Sequence, residues 1–407
     1  MKMKPNRSHG LLLTGMLVLA GLPAAAKDGP QDRTKADPGF EKFNLVSDIT
    51  NNADHLDASL VNPWGIAASP TGPIWINANG TGVMTIYDAT GATLRAPVKI
   101  PAPDGTAPAA PTGLVFNSTA RFVLTSGDTS APASFIAATE DGTIVAWSGK
   151  VTGAAPMTVV DNSAGGAIYK GLALALAGKD QPQLYAANFH SGQVDVFDGS
   201  FKPLTSFTDP GVPAGYAPFN VQAVRGRLVV TFARQQTPDL KDDEPGPGNG
   251  FVDLFKPDGT LVRRLVSGGA LNSPWGVALA PARFGKFAHA LLVGNFGDGK
   301  INAFDWRSGR LLGHLTLPNG NDVTIDGLWA IAFLTPPAAM TPVPATGAPS
   351  GMDADDDKDG DNDHDDGPDI AAPAPQLFFT AGSDFEAHGL FGFLRPVRLF
   401  RSADQDD

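Results

Sequence analysis

Six times along this chain a glycine opens a run of alternating apolar residues, and in five of the copies an aromatic closes it. The copies are Gly82-Val-Met-Thr-Ile-Tyr87, Gly142-Thr-Ile-Val-Ala-Trp147, Gly192-Gln-Val-Asp-Val-Phe197, Gly250-Phe-Val-Asp-Leu-Phe255, Gly299-Lys-Ile-Asn-Ala-Phe304 and Gly389-Leu-Phe-Gly-Phe-Leu394. Self-similarity of this kind marks a repeat architecture, whose units bury a core only by stacking on one another. Ahead of each copy stands a second element of the type Pro63-Trp64-Gly65-Ile or Pro274-Trp275-Gly276-Val, and an apolar run such as Ile74-Trp75-Ile76 lies between the two. Each unit therefore reads as three short strands with turn residues between them, and stretches such as Leu94 to Ile100 or Leu261 to Ser267 supply a fourth.

Six four-stranded units of this size predict an all-β, six-bladed β-propeller with blades starting near 62, 111, 169, 218, 273 and 325. The alternation, with 47 glycines and 35 prolines, excludes a helical repeat, and a β-helix would need shorter coils. The sixth unit lacks room for a fourth strand, and Phe43 to Ile49 has the alternation to fill that place. An N-terminal strand closing the ring in the last blade is the expected solution, since closure removes an open sheet edge.

The flanking segments are of a different kind. Residues 1–26 combine Lys2, Lys4 and Arg7, an apolar run from Leu11 to Leu22 and the small residues Ala24-Ala25-Ala26, the order of a signal peptide. Export to a periplasm or beyond the cell is the expectation. The apolar run is too short to span a bilayer, and no later segment is long and apolar enough. Residues 27–42 read as a flexible lead-in, 43–400 as the propeller, 335–375 as a Pro/Ala/Asp-rich insertion within the last blade and 401–407 as a polar tail. With the three cations of the leader removed, a net charge of −12 becomes −15, and no basic stripe offsets it. Nucleic acid is thereby a poor partner; a small molecule or a protein is the expected one, bound to a monomer. The absence of cysteine excludes thiol catalysis and disulfide staples.

In a propeller the first strand starts and second strand ends converge on one rim. That places Trp64, Lys170, Asn188, Trp275, Asn295 and Asp326 around one mouth, with Glu386, His388 and His190 as the acid or base candidates there. Two kinds of role compete: ligand binding, with Trp64 and Trp275 stacking on a ring and Lys170 anchoring an acid, or structure, with the indoles packing blades, the amides closing turns and Lys170 pairing with Asp326. Glu386-Ala-His388 reads as a strand pair facing one side. In the insertion, Asp355, Asp357, Asp359, Asp361 and Asp366 stand with Gly360 in the register of a calcium loop, which makes Ca²⁺ the cofactor to consider. Position 12 is Asp366 where such loops carry Glu, and no helical pattern flanks it, so a weak site or a solvated tract is expected.

Strings such as Val61-Asn-Pro-Trp-Gly-Ile-Ala67, Asp161-Asn-Ser-Ala-Gly-Gly-Ala-Ile-Tyr-Lys-Gly-Leu-Ala173, Leu271-Asn-Ser-Pro-Trp-Gly-Val-Ala278 and Glu386-Ala-His-Gly-Leu-Phe-Gly392 resemble an uncharacterised family of secreted bacterial six-bladed propeller proteins, over residues 43–393 except the insertion. The blade pattern is more distantly similar to NHL-repeat, lactonase and streptogramin-lyase propellers. That likeness implies a divalent metal in the channel, a metal-dependent lactonase or lyase being one alternative to a ligand-binding propeller; the acidic insertion makes a calcium-responsive structural or surface-interaction protein the other. The Glu, Asn and Asp ligand set of those enzymes has no residue-by-residue match here.

Overall fold

The computed structural model describes residues 38–334 and 374–397, apart from Thr71, Thr106, Ala107 and Ala154. These residues form seven sheets: six are the blades of a propeller, antiparallel except where His55–Leu56 pairs parallel to Phe40–Ser47, and the seventh is a two-stranded hairpin of Val123–Ser126 and Thr129–Pro132. The first strands are Pro63–Ala68, Pro111–Phe116, Tyr169–Leu176, Tyr216–Val224, Pro274–Leu279 and Leu328–Ala332 in blades 1 to 6. Between neighbouring blades lie apolar layers: Trp75 of blade 1 stacks on Phe135 of blade 2 with centroids 4.4 Å apart, beside Trp147 at 4.7 Å. The alternation that identified the strands is thus the alternation that fills both faces of each sheet.

Ring closure follows the expectation. Phe40–Ser47 pairs antiparallel with Leu390–Pro396, from Phe40 opposite Pro396 to Ser47 opposite Leu390, and completes blade 6. The strand begins at Phe40, so residues 40–42, expected in the lead-in, belong to it. The reason is Phe40, which is buried and packs on Phe284 and Phe287 of blade 5. Blade 3 has only three ladder strands; its outer strand is reduced to bridges at Phe207 and Pro203, where proline has no N–H to donate. The acidic insertion falls between Leu328–Ala332 and Leu377–Ala381, outside the described residues.

Glycine is demanded most strongly where first strands approach the axis. A Cβ on Gly113 would lie 2.3 Å from the backbone nitrogen of Leu172 in the next blade, and one on Gly65 2.4 Å from the Thr112 carbonyl oxygen. Backbone on both sides leaves no flexible side chain to yield. Gly113→Ala is expected to destabilise the ring by about 1–3 kcal/mol, read as a lower midpoint in chemical denaturation with unchanged far-UV circular dichroism.

Blade 4 carries a buried charge cluster away from the axis. The Arg264 guanidinium donates from Nε to Asp253 at 3.0 Å and also reaches Asp209. Burial pushes Asp253 up to about 7; the Arg264 hydrogen bond opposes the rise and the Asp209 carboxyl adds to it. A carboxyl whose folded value lies above its unfolded one gives its stabilisation in full below about pH 4 and loses it as pH climbs through about 7. The melting temperature is therefore expected to fall between about pH 5 and about pH 8, with a shallower slope in Asp253→Asn.

Candidate functional site

Six first strands bring one side chain each to the same level of the axis. In register with Gly65, Gly113 and Gly171, the ring is Trp64, Thr112, Lys170, Phe219, Trp275 and Trp329. Trp329 takes the sixth place that glycine spacing gave to Asp326. Asp326 lies exposed in the turn before the strand, where its carboxylate accepts the Asp384 N–H at 2.8 Å. The indoles meet across the axis: Trp64 stacks on Trp329 with centroids 3.4 Å apart and 20° between planes, and Trp275 meets both edge-on near 6 Å. Phe219 and Phe296 extend the cluster around Trp329 at 5.9 and 4.0 Å. All three indoles are buried, so Trp64 and Trp275 form a floor rather than a stacking face for a ligand. Beneath it the axis holds a cavity of only about 50 Å³ lined by strands of all six blades, among them Gly65, Leu114, Leu172, Gln222, Val277 and Ile331.

A connected polar layer sits on this floor. The Trp329 indole N–H donates to Asn62 Oδ1 at 2.9 Å, and Asn62 Nδ2 donates to Glu386 Oε2 at 2.6 Å. Asn79 Nδ2 donates to Glu140 Oε2 at 3.0 Å, and the Lys170 ammonium donates to Glu140 Oε1 at 2.5 Å and to Asp242 Oδ1 at 3.4 Å. Lys170 stands 5.0 Å above the Trp64 ring and 6.0 Å from Phe189, a cation over aromatic faces. Its partners are therefore Glu140 and Asp242, not Asp326. Asp242 comes from the 235–250 loop of blade 4, which Gln235 ties down by donating to the Phe189 carbonyl at 2.6 Å.

The charges of this layer are coupled. Burial alone would raise Glu140, but Lys170, Lys241 and the hydrogen bonds from Lys170 and Asn79 outweigh it and hold the carboxyl below its ordinary range. Burial likewise opposes the Lys170 charge and is outweighed by Glu140, so the ammonium is held above its ordinary value. Glu386 and Asp243, whose carboxyls lack such a close cation, are pushed up, chiefly by burial.

The remaining expected residues fall into two groups. Asn188 and Asn295 close turns: Asn188 Nδ2 donates to Asp195 at 2.9 Å, and Asn295 Nδ2 to the Ala270 carbonyl at 2.8 Å and Asp298 at 3.0 Å. His190 is exposed in the turn after Pro182–Asn188. Glu386 and His388 stand in a turn, not a strand, because Asp384, Phe385 and Glu386 all take left-handed backbone. The turn sends them to different partners: Glu386 to Asn62, and His388 Nδ1 to Asp48 Oδ2 at 2.9 Å. Asp48 follows the closing strand, so ring closure contributes to the mouth. The set Asp355, Asp357, Asp359, Asp361 and Asp366 lies outside the described residues. Asn62, Asp48, Asp242 and Trp329 were not foreseen; the match of Leu328-Trp-Ala-Ile to Pro63-Trp-Gly-Ile was the one available signal.

A divalent cation does not suit the donors at this mouth. Lys170 already occupies the space between Glu140 and Asp242, and among the described residues no group of three or more His, Asp or Glu is disposed to hold a metal ion. A larger, mostly apolar cavity of about 540 Å³ lies at the other end of the strands, lined by Pro281, Phe333, Leu334, Pro375 and Phe378.

No family model matches the chain. It is 35% identical over 294 residues to the uncharacterized protein R648 of Acanthamoeba polyphaga mimivirus, covering 71% of this chain and 72% of the relative. It is 32% identical over 297 residues to the uncharacterized protein L690 of the same virus, covering 71% and 77%. The chain belongs to the family of these proteins. Both relatives are viral, where the sequence strings pointed to bacterial ones. Among solved structures, virginiamycin B lyase from Staphylococcus aureus aligns with a TM-score of 0.46 at 12% identity, over 88% of this chain and 99% of the lyase.

Proposed function

We propose that this member of the family is an exported propeller that binds a small ligand or a protein partner at the inner rim of one face, with no chemistry of its own. One observation carries the reading: all six blades send side chains to one face, where they build a connected polar layer over a closed aromatic floor. A few oriented polar groups over an apolar floor suit ligand capture. The leader-like residues 1–26 support export. The test is a thermal-shift screen of chemically diverse small molecules against the native protein and Glu386→Gln. Ligands that raise the melting temperature of the native protein and lose that effect in the variant are expected; stabilisers acting equally on both, or none, would overturn the reading.

A second reading, lactonase or lyase chemistry, has the Asp48–His388 pair in its favour. A carboxylate on Nδ1 fixes the imidazole tautomer with Nε2 as acceptor, the arrangement of a general base. Turnover of lactone substrates that disappears in His388→Ala, with folding intact, would replace the binding reading.

A further inference from the structure

Building on the mouth as a ligand site, we infer that its ligand carries a cationic nitrogen, an ammonium or guanidinium, on an apolar body. Four carboxyl groups, Glu140, Asp242, Asp243 and Glu386, lie close enough around Lys170 to act on its charge or on one another's, and Lys241 is the second cation among them. Lys170 is spent on Glu140 and Asp242. Glu386 gives Oε2 to Asn62, which leaves Oε1 for a further donor. Asp243 has a buried carboxylate oxygen whose hydrogen-bonding neighbour is the buried Ser273 hydroxyl. The Glu386 Oε1 is the acceptor left open here, and an ammonium or guanidinium brings several donors at once.

Lys170 shows what this mouth does with such a group. Its ammonium rests over Trp64 and Phe189 with carboxylates at its sides, the surroundings that favour an organic cation over a bare metal ion. Phe385, between Asp384 and Glu386, is fully exposed on a turn held by hydrogen bonds from Asp384 N–H to Asp326 and from Glu386 N–H to the Gly382 carbonyl. It offers the ligand's apolar body a face at the rim. The raised carboxyls add a linkage. Glu386 is surrounded by Asn62, Lys170, Glu140 and Asp242, and Asp243 by Ser273, Lys170 and Asp242. A second cation favours their ionised forms, so its binding releases protons and tightens as pH rises.

The experiment is calorimetric titration of the full-length mature protein with benzylammonium, benzyl alcohol, benzoate and CaCl₂, at about pH 5 and about pH 8. Benzylammonium is expected to bind at least about tenfold more tightly than the neutral and anionic analogues, more tightly at the higher pH, and about tenfold more weakly to Glu386→Gln. Phe385→Ser, a surface change, is expected to weaken it with no loss of melting temperature. If the alcohol or benzoate binds as well and depends on Glu386, the cation preference is overturned while the mouth remains a ligand site. Ca²⁺ binding that depends on Glu386 and excludes benzylammonium would assign a hard cation in its place. No Glu386-dependent binding by any probe overturns the inference, and the thermal-shift screen then decides the ligand reading separately.

Discussion

Lys170→Met is expected to lower stability by about 3–5 kcal/mol, the largest effect of any single charge removal at the mouth. The lysine is 2% exposed and Glu140 9%, so removing the ammonium leaves a buried carboxylate that has lost its hydrogen-bonded counter-charge and keeps only the more distant Lys241. The cost comes from that stranded charge rather than from the net worth of the pair. Lys170→Met combined with Glu140→Gln, which removes both charges, is therefore expected to recover much of the loss. Equilibrium denaturation of the four proteins gives the coupling energy. A single variant as stable as the native protein, or a double variant no better than the single, would remove Lys170 and Glu140 as the pillar of the polar layer.

Trp329→Ala is expected to cost a similar amount, about 3–5 kcal/mol, by a different route. Its indole is buried between Trp64 and Phe296 and spans the axis, so truncation opens a cavity in the floor that the surrounding strands cannot collapse into. The change also frees Asn62 Oδ1 and with it the orientation of the amide that holds Glu386. Loss of stability should therefore come with a changed near-UV circular dichroism spectrum and weaker binding at the mouth. Trp329→Phe, which keeps the ring but not the N–H, separates the two: stability mostly retained, binding still reduced. Unaltered near-UV signal in the alanine variant would mean that the indoles are not stacked.

The architecture was legible because each blade states it locally. Gly82, Gly142, Gly192 and Gly299 all take left-handed backbone at the turn before a strand, and at Gly192 no neighbour crowds the position, so conformation alone demands glycine there. Alternation over five residues is likewise local. The mouth was only partly legible, because its bonds join residues that share no spacing: Asn62 and Glu386 are 324 positions apart, Asp48 and His388 340. Trp329 was displaced by Gly327, a left-handed turn glycine that imitates the strand glycine of the other blades. The pairing of Glu386 with His388 failed because three successive left-handed residues make a turn where alternation reads as strand.

The most direct test of the site's location is hydrogen–deuterium exchange with and without a saturating ligand from the thermal-shift screen. Protection is expected together at 62–64, 140–141, 170, 242–243 and 384–388, residues that only the ring of blades brings together. Protection confined to 281–283 and 333–334, at the far end of the strands, or to the outer edges of the blades, would contradict a ligand site at the mouth.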